Sequence, residues 1–128
     1  MKTISVFILL CVASISAYSQ ESAISPKALP AEVVKAFHAV YPKSKIRSAS
    51  KEAENGSTNY EINCTDGTSK KTISFSSTGK IIETEEQISV GKLPGAVSKT
   101  LASGFAGSTI LRVESSVKET GTVYEVLM

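Results

Sequence analysis

An internal repeat constrains this 128-residue chain more than any other feature of its sequence. Leu29-Pro30 recurs 64 residues later as Leu93-Pro94. Further matches at this offset are Val33 with Val97, Phe37 with Leu101, Tyr41 with Phe105, Ile46 with Ile110, Ala49 with Val113, and Tyr60-Glu61-Ile62 with Tyr124-Glu125-Val126. So many matches at one offset indicate that one structural unit is used twice. The pattern predicts a single domain at 29–128, with a full repeat at 29–88 and a partial repeat at 93–128.

Each copy of the repeat opens with a predicted amphipathic helix. Pro30 and Pro94 suit the first helical turn, where a backbone N–H is not needed. Apolar residues then follow at helical spacing, at Val33, Phe37, Val40 and Tyr41 in the first copy and at Val97, Leu101 and Phe105 in the second. Pro42 ends the first helix, and Gly104 with Gly107 ends the second. The repeat therefore predicts two equivalent helices.

Strands follow each helix, because apolar and polar residues alternate over short stretches that end in turn residues. The predicted strands lie at 46–51, 59–64, 72–75 and 81–88 in the first copy, and at 110–115 and 123–128 in the second. Consecutive strands joined by short turns favour an antiparallel sheet. The predicted fold class is therefore α+β, an antiparallel β-sheet with two helices packed on one face. The duplication is one helix with four strands, then one helix with two.

A secretory signal peptide is predicted at residues 1–19. Lys2 provides a positive start, 4–13 is an apolar run, and Ala17-Tyr18-Ser19 places small residues around a cleavage site. The apolar run is shorter than the roughly 20 residues that cross a bilayer, which disfavours a transmembrane anchor. A lipoprotein signal at Cys11 is disfavoured because Leu10 stands where a small residue is usual. We expect a periplasmic or secreted protein without a stable membrane anchor after cleavage, with a polar linker at 20–28.

The motifs of both copies resemble the PepSY-like family of exported bacterial proteins, which have a β-lactamase-inhibitor-protein-like fold. The residues that carry the resemblance are Leu29-Pro30, Tyr41-Pro42, Gly56, Tyr60-Glu61-Ile62, Ile73-Ser74-Phe75, Gly79-Lys80-Ile81, Leu93-Pro94 and Tyr124-Glu125-Val126. The resemblance covers about 29–128 and implies an internally duplicated antiparallel sheet with helices packed on it. It implies no catalytic signature, and related PepSY domains act as inhibitory or regulatory modules of exported proteases. The second copy departs from the family in lacking two strands, which implies an asymmetric sheet or an exposed edge.

Composition leaves few groups for chemistry. The chain has one His, two Cys and a net charge of +2, which disfavours metal binding, thiol catalysis and nucleic-acid binding. His38 is expected at the surface, since the second copy has Ala102 there. Cys64, the one cysteine left after cleavage, continues the inward alternation of Tyr60 and Ile62 and is expected in the core. No catalytic, cofactor-binding or metal-binding residue is predicted, and no cofactor.

Charged residues on the predicted strands have a solvated interpretation and a functional one. Glu83 and Glu85 share a strand face and Glu86 points the other way, so the three carboxylates do not converge. Lys45, Arg47 and Lys51 are expected to share one face, either as a solvated surface or as a contact for an anionic partner. In each Tyr-Glu pair, the tyrosine is expected to anchor the sheet to its helix while the glutamate faces water. The alternative is a duplicated contact site.

Three functions follow as hypotheses. The first is an exported non-enzymatic binding module that uses the open face or edge of its sheet, inhibitory or regulatory toward an envelope or secreted protein. The alternative is a small-ligand binder or sensor, with a pocket between helix and sheet lined by Phe37, Tyr60 and Phe75. An enzyme would need its polar groups to converge in a cleft, the remaining candidates being His38, Glu61 and Glu125. A protein partner in the cell envelope is expected, and no nucleic acid.

Overall fold

The computed structural model describes residues 20–128, so the predicted signal peptide at 1–19 lies outside the described residues. Seven strands form one antiparallel sheet whose spatial order follows the chain order. The strands are β1 (Gln20–Ile24), β2 (Lys45–Glu54), β3 (Ser57–Asp66), β4 (Ser69–Ser76), β5 (Ile81–Ile88), β6 (Arg112–Lys118) and β7 (Gly121–Leu127). The helices are α1 (Ala31–Val40), between β1 and β2, and α2 (Gly95–Gly104), between β5 and β6. Two helices and an all-antiparallel sheet confirm the α+β class.

One strand was not expected from the sequence. Gln20–Ile24, within the predicted linker 20–28, pairs with β2 from Gln20↔Ala53 to Ile24↔Ala49. Its sequence shows no apolar alternation because most of its side chains are exposed. An edge strand of this kind is held by its backbone hydrogen bonds, which leave no mark on the side-chain pattern.

Two turns require residues with special backbone conformations. Asn55 and Gly56 both have positive φ, 50° and 78°, as the two-residue hairpin between β2 and β3 demands. Gly79, in the turn between β4 and β5, has φ +86° and approaches the backbone of α1 closely. A Cβ at Gly79 would lie 2.6 Å from the carbonyl oxygen of Glu32. This turn therefore packs against the helix in a way that only glycine allows.

Paired residues divide the sheet into two faces. The face that we call apolar carries two rows of paired residues: Ile24, Ala49, Ile62 and Ile73 in the first half, and Ile88, Val113 and Val126 in the second. The two rows lie on the same side, because Ile73 pairs with Thr84, and Thr84 and Ile88 are an even number of residues apart in β5. The opposite face, which we call polar, carries a row formed by Glu61, Ser74, Glu83 and Lys118.

Two buried clusters contain residues of the helices together with residues of the apolar face. The first holds Val33 and Phe37 of α1 with Ile62, Ile73 and Phe75 of the sheet. The second holds Val97 and Leu101 of α2 with Val113. Tyr60 packs against the first cluster and Tyr124 against the second, as expected for tyrosines that anchor the sheet to its helices.

The pairing registers of the two halves differ by the same 64 residues as the sequence repeat. Ile24↔Ala49 in β1 and β2 corresponds to Ile88↔Val113 in β5 and β6. Ala49↔Ile62 in β2 and β3 corresponds to Val113↔Val126 in β6 and β7. The correspondence therefore extends upstream of positions 29 and 93, to the strand before each helix, and β4 lies between the two corresponding sets of strands.

Candidate functional site

The polar face concentrates carboxylates along the middle of the sheet. Glu61, Glu83 and Glu85 point to this face from β3 and β5, as the register of both strands with β4 requires. Glu86 points to the apolar face, where its carboxylate lies 3.7 Å from the Lys71 Nζ. This confirms the prediction that Glu83 and Glu85 share a face and that Glu86 points the other way.

The fold holds two of these carboxyls in an environment that disfavours their charge. Burial raises the pKa of Glu61, and the carboxylates of Glu21, Glu85, Glu52 and Glu83 add to the effect. Burial likewise raises the pKa of Glu85, with Glu83, Glu114 and Glu125 acting in the same direction and Lys118 against it. The contributing glutamates, together with Glu61 itself, come from every strand of the sheet except β4, so the negative potential spans both halves.

Hydrogen bonds fix the side chains around these carboxylates. The Ser116 hydroxyl donates to Glu83 Oε1, and Lys118 Nζ lies 3.5 Å from the same oxygen. Asn63 bridges β2 and β4, donating from Nδ2 to Ser48 Oγ at 3.1 Å and accepting from Thr72 Oγ1 at 2.7 Å. A polar face built in this way is preorganised, because its side chains are already oriented before any partner arrives.

A shallow depression of about 430 Å³ lies on this part of the polar face. Its lining includes Arg47, Asn63, Lys70, Thr72, Glu85 and Glu114. Both charge signs are present, and amide and hydroxyl groups lie between them. The depression is open and polar, which suits recognition of a protein surface better than enclosure of an apolar ligand.

The predicted basic face is divided by a β-bulge. Pairing shifts between Ile46 and Ser48, so that Arg47 is the additional residue of β2. Lys51 then pairs with Tyr60, whose side chain packs on the apolar side, whereas Lys45 pairs with Thr65. The prediction that Lys45, Arg47 and Lys51 share a face is therefore wrong for Lys51, because a bulge reverses the alternation beyond it.

The groups considered for catalysis lie apart. His38 is exposed on α1, where its ring makes an edge contact with Phe37 at 5.2 Å between centroids. Glu61 and Glu125 lie on the polar face in β3 and β7, roughly 19 Å apart at the usual strand spacing. Among residues 20–128, no three His, Cys, Asp or Glu side chains are placed to hold a metal ion. The structure thus keeps the three candidate residues His38, Glu61 and Glu125 apart.

Cys64 lies in the core, as its alternation predicted. It is 2% exposed and belongs to the cluster around α1. Burial raises the pKa of the Cys64 thiol, Asp66 adds to the rise, and Lys71 opposes it. A buried thiol with a raised pKa is a poor nucleophile, which agrees with a packing role.

The ligand pocket expected around Phe37, Tyr60 and Phe75 does not form. Phe37 and Phe75 are both 0% exposed, because the side chains of α1 and the sheet fill the space between them. An apolar groove of about 290 Å³ lies instead beside α2, lined by residues that include Leu101, Phe105, Ile110 and Met128. The sequence did not predict this groove. The available signal was the small residues Ala102 and Ala106, which correspond to His38 and Pro42 in the first half.

No helix within residues 20–128 has the length and apolar character needed to cross a bilayer.

Solved structures from Bacteroides species match this chain. A BLIP-like protein from Bacteroides fragilis matches with a TM-score of 0.60 and 21% identity, over 76% of this chain and 70% of that one. A protein from Bacteroides vulgatus, described as periplasmic and of the DUF2874 family, matches with a TM-score of 0.45 and 16% identity. A protein from Bacteroides thetaiotaomicron, described as calcium-regulated and periplasmic, matches with a TM-score of 0.44 and 14% identity. Each of the last two matches covers 84% of this chain and 94% of the other.

Searches of curated proteins found no match to the chain. A family model does match, and it matches twice, at residues 16–82 and 58–128. Its description is beta-lactamase-inhibitor-like and PepSY-like, and the two matches together cover the described sheet from β1 to β7. The chain therefore belongs to the PepSY-like family of beta-lactamase-inhibitor-like proteins.

Proposed function

We propose that this protein is an exported, non-enzymatic module that binds another protein through the polar face of its sheet. Its partner would be an envelope or secreted protein, and its effect inhibitory or regulatory. Both helices cover the apolar face in this proposal, which leaves the polar face free across all seven strands. Membership of a beta-lactamase-inhibitor-like family supports a non-catalytic binding role.

The observation that carries the proposal is the crowding of carboxylates on a preorganised surface. In the free protein, burial and neighbouring negative charges raise the pKa of Glu61 and of Glu85. A basic side chain placed between these carboxylates would relieve that unfavourable charge and gain ion pairs. The polar face therefore favours a partner surface that presents lysine or arginine.

Export to the periplasm or beyond is part of the same proposal. It rests on the residues of the predicted signal peptide at 1–19, with its positive start, apolar run and small residues at the cleavage site. The alternative of a small-ligand binder or sensor needed a pocket between helix and sheet. Phe37 and Phe75 fill that space, which disfavours the alternative.

The test is affinity capture from an envelope fraction with immobilised residues 20–128. We expect the unchanged protein to retain a defined partner. A double variant with Glu83→Lys and Glu85→Lys should lose it, since two opposite charges would stand at the centre of the polar face. A control with Glu32→Lys and Glu119→Lys changes the net charge equally at exposed positions on α1 and in the β6–β7 turn.

Retention of the same partner by both double variants would contradict the role of the polar face. Repeated failure of the unchanged protein to retain any partner would contradict the binding function itself. Circular dichroism of the variants identifies any loss of folding before capture is compared.

A further inference from the structure

Corresponding strands in the two halves have different neighbours. β3 and β7 correspond at the 64-residue offset, with Ile62 matching Val126 and Tyr60 matching Tyr124. The outer side of β3 is covered by β4, through the pairs Ile62↔Ile73 and Tyr60↔Phe75. Among residues 20–128, β7 pairs with β6 alone and forms the end of the sheet.

The free side of β7 presents a regular series of backbone groups. The carbonyl oxygen of Leu127 accepts a hydrogen bond from the N–H of Leu111 at 2.7 Å, so the backbone polar groups of Leu127 point toward β6. These groups alternate in direction along an antiparallel strand. The N–H and C=O groups of Thr122, Tyr124 and Val126 therefore point outward, where they can form a ladder with another strand.

The apolar groove beside α2 continues this edge. It contains Met128 next to β7 and Phe105 after α2, which correspond to Cys64 and Tyr41 in the first half. In the first half, Lys71 of β4 lies over the Tyr41 ring at 5.2 Å. A residue of β4 thus covers the position that corresponds to the groove, and the groove and the free edge belong to one surface.

Negative charge on the polar side of this edge favours an added strand that carries a basic residue. Glu125 is exposed in β7 and pairs with Glu114 of β6. Its counterpart in the first half, Glu61, pairs with Ser74 of β4. A residue in the position of Ser74 on an added strand would face Glu125 with Glu114 behind it, so a basic residue there complements two carboxylates.

We propose that the outer edge of β7 accepts an extended peptide segment as an additional antiparallel strand. Two alternate apolar side chains of the segment face α2, as Ile73 and Phe75 of β4 face α1. A basic side chain between them faces Glu125 on the polar side. Recognition by strand addition combines backbone hydrogen bonds with pockets for alternate side chains. This edge is distinct from the centre of the polar face and does not depend on the function proposed above.

The test is a peptide titration followed by amide hydrogen exchange. The probe is the blocked peptide SKKTIKFSS, which is residues 69–77 with lysine in the position of Ser74, so that its last residue lies opposite Thr122. At saturation, the outward amides of Thr122, Tyr124 and Val126 should exchange about tenfold more slowly, because each gains an acceptor or becomes covered. A control peptide, SKKIFTKSS, has the same composition but adjacent apolar residues, which face opposite sides in every register. It should bind at least tenfold more weakly.

Two protein variants separate the backbone ladder from the charge. Thr122→Pro removes one outward N–H and leaves the ladder with β6 in place, and should weaken binding of SKKTIKFSS about tenfold. Glu125→Gln should weaken it about threefold and should have little effect on the peptide with the unchanged β4 sequence. Glu32→Gln, an equal change of charge on α1, is the control and should leave binding unaltered.

Several results would overturn the proposal. One is the absence of protection on β7 at millimolar SKKTIKFSS, and another is equal binding of the two peptides. Protection confined to the β1 edge would place the site elsewhere. Protection of the β7 amides that rises with protein concentration, without peptide, would assign the edge to a second copy of the chain.

Discussion

The two halves of the sheet share a pairing register but differ in how well their cores are enclosed. The cluster around α1 contains eight buried residues and the cluster around α2 contains four. In the second half the apolar residue Leu111 is 67% exposed. The corresponding residue in the first half is the charged Arg47. Both halves keep one register although their cores are enclosed differently, because each has the apolar pairs and the two-residue turn that set it.

The contribution of β4 accounts for much of this difference. Its residues Ile73 and Phe75 are fully buried against α1 and have no counterpart in the second cluster. Lys71 of β4 also lies over the Tyr41 ring, and the turn at Gly79 approaches the backbone of α1. Four pairs of matched substitutions separate the contributions of the two halves.

The two helices should differ in the stability that their central residues provide. Phe37→Ala removes a side chain with 0% exposure and should lower the free energy of unfolding by about 4 kcal/mol. Leu101→Ala at the corresponding position borders the groove and should lower it by about 2 kcal/mol. Urea denaturation of both variants measures the difference, and equal losses would contradict the unequal enclosure of the two cores.

Two glycines with nearly the same φ test the contact between the β4–β5 turn and α1. Gly79 has φ +86° and no room for a Cβ, since Glu32 carbonyl oxygen lies 2.6 Å from its position. Gly107, after α2, has φ +85° and open space around it. Gly79→Ala should therefore cost about 3 kcal/mol and Gly107→Ala about 1 kcal/mol, the latter from backbone strain alone. Thermal unfolding of both variants checks this. Similar Tm values would show that α1 can shift away from the turn at little cost.

Lys71 of β4 makes contacts that have no counterpart among the described residues of the second half. Its Nζ lies 3.6 Å from Asp66 Oδ2, 3.7 Å from Glu86 Oε2 and 5.2 Å from the centre of the Tyr41 ring. Lys71→Ala should destabilise the protein by about 1–1.5 kcal/mol, because several groups act on one partly buried ammonium. Lys118→Ala, which removes a half-exposed ion pair with Glu83, should cost under about 0.5 kcal/mol. Equal denaturation midpoints would argue against a special role for Lys71.

The polar face should give a small dependence of stability on pH. The pKa of Glu61 is raised in the folded protein above its ordinary value of 4.5. The folded state therefore binds this proton more tightly than the unfolded state, and the contribution of Glu61 becomes more favourable as pH falls from neutral toward 4.5. Glu61→Gln should raise stability at neutral pH by roughly 0.5 kcal/mol, after solvent screening, and reduce that dependence.

The matched variant is Glu125→Gln, at the exposed corresponding position in the second half. It should change stability less than Glu61→Gln does. Tm measured between pH 7 and pH 4.5 for both variants distinguishes the half-buried carboxylate from the exposed one. A larger effect from Glu125→Gln than from Glu61→Gln would contradict the location of the charge crowding around Glu61.

Sequence patterns predicted the elements that depend on local periodicity. The apolar spacing of Val33 and Phe37 predicted the buried side of α1, and the alternation around Ile62 predicted β3 and its buried Cys64. The same alternation placed Glu83 and Glu85 opposite Glu86. It did not place Lys51, because nothing in the residues around Arg47 shows that one residue of β2 is accommodated in a bulge.

The sequence alone predicted two corresponding units, both helices, six of the seven strands in their order, and the residues available for a core. These follow from side-chain periodicity and from turn residues, which act over a few positions along the chain. The other features depend on the tertiary structure. β1 pairs with β2 through its backbone, and carboxylates from distant strands lie close together on the polar face. β7 forms an edge of the described sheet beside a groove. Each of these results depends on which strands become neighbours, and that is a property of the whole sheet.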